Sequence, residues 1–152
     1  IGTCATCHLP NAVPLHFEIP IPEGANQVIF SGAEPDNVGL DIDDNVEDNG
    51  LGTFLGIPSF NGHFKTLSLR NIEVTGPYMH DGRMETLEEV VEHYSTGVLP
   101  HPNLSAHMKD GNCDPRHLDL TPQESAALVA FLKTLTDYEL MNDVKFSDPF
   151  VN

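Results

Sequence analysis

The chain has 152 residues, a length that suits one domain burying about 70% of its unfolded surface. Its 12 glycines and 12 prolines favour a fold held by loops as much as by helices. Seven lysines and arginines stand against 23 aspartates and glutamates, a formal charge of −16, which removes the clustered cations that nucleic-acid binding needs and suits basic partners or divalent cations instead. No apolar run approaches the ~20 residues of a membrane-spanning helix.

The first motif is Cys4-Ala5-Thr6-Cys7-His8, a C-x-x-C-H string. On one helical turn, residues i, i+3 and i+4 share a face. Two thiols can therefore form thioethers with the two vinyl groups of a haem, while the imidazole next in sequence sits under the iron. A structural zinc site would want four Cys or His ligands at recognisable spacing. A thioredoxin-like redox pair needs a βαβ context and makes no use of the His. Neither pattern is present, so Cys4, Cys7 and His8 are read as the attachment site of one covalent haem c, with His8 the proximal iron ligand. The attachment machinery works outside the cytoplasm, which implies a periplasmic or otherwise exported protein. The motif begins three residues into the chain, as expected of a mature form or a fragment. Cys113 is left over, as a free thiol or an interchain link.

From Leu9 to Phe64 the chain is irregular, rich in Pro, Gly, Asn and Asp. The apolar clusters Val28-Ile29-Phe30 and Phe54-Leu55-Gly56-Ile57 suit brief strands or packing loops. The acidic run from Asp41 to Asp48 lacks the glycine of a calcium-binding EF-hand loop, since Val46 stands at the sixth position. It is read as a solvated acidic loop.

Two helices are clearly signposted. Thr86-Leu87-Glu88-Glu89 is a capping box, with Leu87, Val90, Val91 and Tyr94 at i, i+3, i+4 and i+7, and Gly97 ends the helix. Thr121-Pro122-Gln123-Glu124 is a second box with proline at the first helical position. Its apolar stripe is Leu128, Phe131, Leu132 and Leu135, and Asp137 comes after the last turn. No internal repeat appears. The expected architecture is all-α, one cytochrome c-like haem domain over residues 1–152 with long irregular loops.

From Lys65 onward further strings stand out: Leu69-Arg70-Asn71 within Lys65–Ile72, then Pro77-Tyr78-Met79-His80-Asp81-Gly82 within Val74–Arg83, then Thr86–Tyr94 and Leu128–Asp137. With the haem motif they resemble the C-terminal haem domain of the bacterial di-haem cytochrome c peroxidase and MauG family. The resemblance implies a cytochrome c-like fold and hydrogen peroxide chemistry shared between two haems. One haem, in an N-terminal domain, reacts with peroxide; the other, in the C-terminal domain, stores and relays electrons. Only the second half is matched here. The peroxidatic half is expected upstream in a longer precursor, on another chain, or not at all. The family also implies a calcium site using the backbone carbonyls of Thr75 and Pro77, an oxygen-only set suited to a hard cation.

The sixth iron ligand decides what such a haem does. A thioether paired with His favours electron transfer and raises the potential. The resemblance makes Tyr94 one candidate, because MauG places its tyrosine ligand there and the peroxidases a methionine. Met108, in Pro102–Met108, is the other, since relatives carry a methionine after a similar turn, and ligand softness favours it. Met79, Met84 and Met141 are read as packing residues. Arg70 is a candidate propionate partner, because guanidinium matches carboxylate bidentately, and His80 is expected near the haem edge. His16, His63, His93, His101, His107 and His117 are read as surface or structural residues.

The function implied is the electron-relay domain of an exported di-haem peroxidase. Its partners would be the peroxidatic haem domain, hydrogen peroxide at that haem, and a small electron-donor protein with a basic contact surface. Two alternatives remain: a stand-alone monohaem carrier, and a MauG-like enzyme that oxidises a protein side chain.

Overall fold

The computed structural model describes residues 4–10, 30–31, 35–44 and 48–150. His16, Val28-Ile29 of the first apolar cluster, and Val46 of the acidic run lie outside the described residues. Helix α1 is the haem-motif turn Cys4–Cys7. Strand β1 (Leu9–Pro10) pairs antiparallel with β2 (Phe30–Ser31), and β3 (Pro35–Asp36) with β4 (Phe64–Lys65). The further helices are α2 (Leu51–Leu55), α3 (Leu87–Glu92), α4 (Pro122–Lys133) and α5 (Tyr138–Asn142). Short 3-10 turns occupy Pro58–Phe60, Ile72–Val74, Ala106–Met108 and Val144–Phe146.

The molecule is thus mostly helical, in line with the expected fold class, with two small antiparallel pairs that an all-α reading does not include. Loop segments with no helix to join must still satisfy their backbone N–H and C=O groups, and pairing two extended stretches does so. The Phe54–Ile57 cluster is likewise no strand: Leu51–Leu55 is a short helix ending at Gly56 in the left-handed conformation (φ 67°).

Both capping boxes form. The Thr86 side chain accepts from the Glu89 amide at 3.2 Å, and Glu89 Oε2 accepts from the Thr86 amide at 2.9 Å. Thr121 and Glu124 repeat the exchange at 3.3 and 2.9 Å. Leu87 and Val91 of α3 are 4% and 3% exposed and pack on Val129 and Leu132 of α4, with Tyr78 completing the cluster. Each such aliphatic burial contributes roughly 1.5–3 kcal/mol. Phe131, expected on that stripe, is exposed. At about 100° per residue, Val129 and Phe131 lie on opposite sides of Leu132, and α3 packs on the Val129 side.

The predicted helix over 86–97 changes character at its end. His93–Gly97 is wound as a π-turn, which inserts a residue and rotates the residues after it about the helix axis. Tyr94 therefore leaves the α4-facing stripe, to which the i+7 spacing assigned it, and packs in a second cluster with Val98, Leu104, Met108 and Val38. The turn is held from outside. Leu118 N–H donates to the Tyr94 carbonyl at 3.2 Å, Asp119 N–H to the Ser95 carbonyl at 3.0 Å, and Leu120 N–H to Ser95 Oγ at 3.0 Å.

The Leu-Arg-Asn string staples the middle of the chain to the end of α4. Asn71 adopts φ 59°, a left-handed conformation that asparagine tolerates. Its N–H donates to the Leu135 carbonyl at 3.0 Å, and its Oδ1 accepts from Asp137 N–H at 2.7 Å. Arg70 Nη2 pairs with Asp137 Oδ2 at 2.9 Å. Arg83 makes a second staple, meeting Asp81 at 2.6 Å and Asp41 at 3.0 Å. The acidic loop is accordingly more than solvated charge. Asp41 is gripped by Arg83, and Asp44 accepts from His101 Nε2 at 3.1 Å and Asn61 Nδ2 at 3.0 Å.

The backbone N–H bonds to Glu89 and Glu124 hold both carboxyls below their ordinary value of 4.5. A depressed carboxylate stabilises the fold above its unfolded pKa and loses that contribution as pH falls through the folded value. The double variant Glu89→Gln and Glu124→Gln is expected to unfold with a shallower acid dependence below about pH 4.5, read from chemical denaturation at a series of pH values.

Candidate haem site

Cys4 and Cys7 lie on the single turn of α1, and His8 N–H donates to the Cys4 carbonyl at 2.8 Å, so the imidazole continues the same turn. Both cysteines are free thiols. Burial pushes the Cys7 thiol up to about 12, with the Asp36 carboxylate adding to the effect through its charge and a hydrogen bond. Burial raises Cys4 as well. Thiols held protonated are weaker nucleophiles than thiolates.

His8 Nδ1 lies 3.0 Å from the Leu67 carbonyl. A carbonyl can only accept, so Nδ1 carries the hydrogen and Nε2 keeps its lone pair, the arrangement a metal-bound imidazole requires. Burial also lowers the His8 pKa, which favours the neutral, ligating form. Two thiols on one turn and an imidazole with a free Nε2 fit a haem c.

Both candidates for the sixth position share one cluster, and His107, the residue before Met108, reaches Cys7 on this turn. Met108 is 9% exposed and packs with Tyr94, Val98 and Leu104. The Tyr94 phenol is raised above its ordinary value by burial first, then by the charges of Cys7, Cys4 and Asp36.

A buried amide organises the loop that carries Met108. Asn37 is 3% exposed. Its N–H donates to Ser105 Oγ at 2.9 Å, and its carbonyl accepts from Ser105 N–H at 3.1 Å. Its Nδ2 donates to His101 Nδ1 at 3.0 Å and the Asn61 carbonyl at 3.2 Å, and its Oδ1 accepts from Gly39 N–H at 2.9 Å. Gly39 sits at φ 69° with a Cβ position only 2.6 Å from the Leu99 carbonyl, so no side chain fits there. His101 is consequently fixed with Nδ1 as acceptor, from Asn37 and from Asn103 N–H at 3.0 Å, and Nε2 as donor to Asp44. Its structural reading is supported.

Next to Asn37, Asp36 Oδ1 lies 3.1 Å from His107 Nε2, and the same nitrogen lies 3.0 Å from Cys7 Sγ. Ligand atoms of Cys7, Asp36 and His107 fall within 4.8 Å of one another, one ligand short of a structural zinc set.

The remaining candidates are dispersed. Arg70 is committed to Asp137 through Nη2. His80 is exposed and stacks on Phe64, with ring centroids 3.6 Å apart. Thr75 and Pro77 are exposed on the turn before Tyr78, flanking Gly76 at a cis Gly76–Pro77 peptide bond. Met84 packs at the margin of the α3–α4 core, whereas Met141 and Cys113 are exposed. Sequence reasoning missed Asn37 and Asp36 and placed His107 among surface or structural histidines. The signal for Asn37 was slight, an Asn two residues before a Gly in a loop.

No family model matches the chain. It is 31% identical over 160 residues to methylamine utilization protein MauG of Paracoccus denitrificans, covering 88% of this chain and 39% of the relative. It is 43% identical over 79 residues to cytochrome-c peroxidase IdrP1 of Denitromonas iodatirespirans, covering 52% of this chain and 19% of the relative. Among solved structures, a MauG-like protein associated with microbial copper homeostasis superposes with a TM-score of 0.63 at 43% identity, over 77% of this chain and 36% of that one. The chain belongs to the bacterial di-haem cytochrome c peroxidase and MauG family. The names of its relatives, MauG and cytochrome-c peroxidase, imply haem c and peroxidase-type oxidoreductase chemistry for the family. The mostly helical architecture with small strand pairs is consistent with a cytochrome c-like domain. The chain spans well under half the length of each of these relatives. No helix among the described residues is long and apolar enough to cross a membrane.

Truncating Asn37 to Ala strips partners from His101, Asn61 and Gly39 at once. The variant is expected to lose about 2 kcal/mol or more of unfolding free energy, measured by urea denaturation.

Proposed function

We propose that this chain is the electron-relay haem c domain of an exported di-haem peroxidase. Cys4 and Cys7 supply the thioethers, His8 Nε2 the proximal ligand, and Met108 the distal one, with Tyr94 the alternative. The observation that carries the reading is the hydrogen bond from His8 Nδ1 to the Leu67 carbonyl at 3.0 Å, which leaves Nε2 free. Bound there, the haem would supply a reversible one-electron couple.

The chain's own residues set the terms of that couple. The Leu67 carbonyl fixes the orientation of His8 and strengthens it as a donor. The Val98–Leu104–Met108 cluster excludes water and offers a soft thioether, which favours the reduced state. Arg70, with one nitrogen held by Asp137, and His80, stacked on Phe64, are carried as propionate and haem-edge contacts. The carbonyls of the exposed Thr75 and Pro77 are carried as calcium ligands, completed from outside this chain. Electrons enter from a basic donor protein drawn by the charge of −16 and leave for a peroxidatic haem outside this chain. There hydrogen peroxide takes up two electrons and two protons to give two waters.

The second reading is a MauG-like enzyme that oxidises a protein side chain. It is favoured by the packing of Tyr94 in the same cluster as Met108, and it requires Tyr94 as the ligand.

Three measurements test the proposal. The haem-bearing peptide of the native protein should contain Cys4, Cys7 and His8, and replacing both cysteines by Ala should leave haem extractable into acidic organic solvent. In the ferric protein the sulfur-to-iron charge-transfer band should disappear in Met108→Ala; a phenolate band in its place in the wild type favours the MauG-like reading. Turnover with a basic donor should fall steeply as salt shortens the screening length from about 30 Å at 0.01 M to about 8 Å at 0.15 M, and an insensitive rate removes the electrostatic docking.

A further inference from the structure

The 3-10 turn Ala106–Met108 has two attachments to the strip that begins at β3. Ser105 exchanges hydrogen bonds with Asn37, at 2.9 and 3.1 Å. His107 Nε2 meets Asp36 Oδ1 at 3.1 Å and Cys7 Sγ at 3.0 Å. Asp36 is itself aimed, since Thr66 Oγ1 donates to its Oδ2 at 3.3 Å and its side chain is only 10% exposed. In a haem-loaded chain the Cys7 sulfur would be a thioether, a weak acceptor. The single hydrogen on His107 Nε2 would then go to the carboxylate. Within the turn, His107 touches the haem-attachment motif at Cys7, and Met108 is its immediate neighbour.

Tyr94 is held by a different device. The π-turn His93–Gly97 is tied through its backbone to Leu118 and Asp119, without help from Asp36 or His107. The two candidate ligands thus share one cluster but depend on separate anchors.

We infer that His107, held by Asp36, is a positioning residue that keeps Met108 at the iron and so prevents Tyr94 from taking the sixth position. The inference rests on the proposed Met108 ligation and goes beyond it by naming what selects between the two ligands. With the anchor cut, the Met108 turn keeps the Ser105–Asn37 exchange and the Arg116 N–H bond to the Met108 carbonyl at 2.8 Å but loses its tie to the haem-attachment turn, while Tyr94 stays where the π-turn puts it. A harder phenolate then replaces a soft thioether, and ferric iron is stabilised relative to ferrous.

The experiment uses the full-length, haem-loaded protein and records ferric electronic and paramagnetic resonance spectra together with the reduction potential. Met108→Ala is the reference for loss of the sulfur-to-iron band. His107→Ala and Asp36→Ala are expected to lose that band, gain a phenolate-to-iron band, and shift to a lower potential. His107→Gln and Asp36→Asn, which keep a donor and an acceptor of similar reach, are expected to retain the wild-type spectrum. Alanine variants that keep both band and potential, while Met108→Ala loses the band, overturn the inference and leave the ligand assignment standing. Conservative variants that lose the band as fully as the alanine ones also overturn it, because packing rather than the hydrogen bond would then hold the turn. A wild-type spectrum without the band, unchanged in Met108→Ala, overturns both the inference and the ligand assignment beneath it.

Discussion

The burial of the Asn37 amide is the constraint on which the rest of this loop-rich molecule depends. A side-chain amide taken out of water costs several kcal/mol unless each donor and acceptor finds a partner (roughly 2–7 in apolar surroundings). Asn37 finds partners in Asn61, His101, Ser105 and Gly39. These contacts draw two distant stretches of the chain, at Asn61 and at His101–Ser105, around one residue. A short domain with few helical contacts gains from such a device what a larger core would otherwise supply. The same contacts seat the turn bearing Met108 next to the turn bearing Cys7 and His8.

The apolar side chains fall into two clusters rather than one. The α3–α4 cluster around Leu87, Val91, Val129 and Leu132 is built on helix periodicity and gives the domain its rigid frame. The second, around Val98, Leu104 and Met108, is built on loops and meets the haem motif at His107, the residue before Met108. The π-turn at His93–Gly97 joins them, because it lets one continuous segment contribute Val91 to the first and Tyr94 to the second. π-turns recur at functional sites for this reason: the inserted residue re-aims a side chain without breaking the helix.

Charge is distributed with similar economy. Of the few cations, Arg70 and Arg83 are placed where they join distant segments, to Asp137 in one case and to Asp41 and Asp81 in the other. Those pairs are partly exposed, so each contributes little to stability by itself. Their value lies in register, since they fix which loop lies against which turn. The remaining carboxylates leave a strongly negative surface, which repels a second acidic protein and favours a basic one.

Local signals in the sequence determined the haem motif, both capping boxes and the existence of α3 and α4, because each depends on residues within one or two turns of each other. The L-R-N and P-Y-M-H-D-G strings were legible as a family signature, but not as the staples they form, since Asn71 finds Leu135 and Asp137 only across the fold. Only the tertiary structure decided the exposure of Phe131, the departure of Tyr94 from its helical stripe, and the strand pairs that the all-α expectation omitted. It alone disclosed Asn37, Asp36 and His107, whose partners lie far away along the chain. Cys4, Cys7 and His8 could be read from five consecutive residues because thioether and imidazole geometry is set within one turn. What holds His8 in its ligating form, a carbonyl 59 residues away, has no local signal and exists only once the chain has closed on itself.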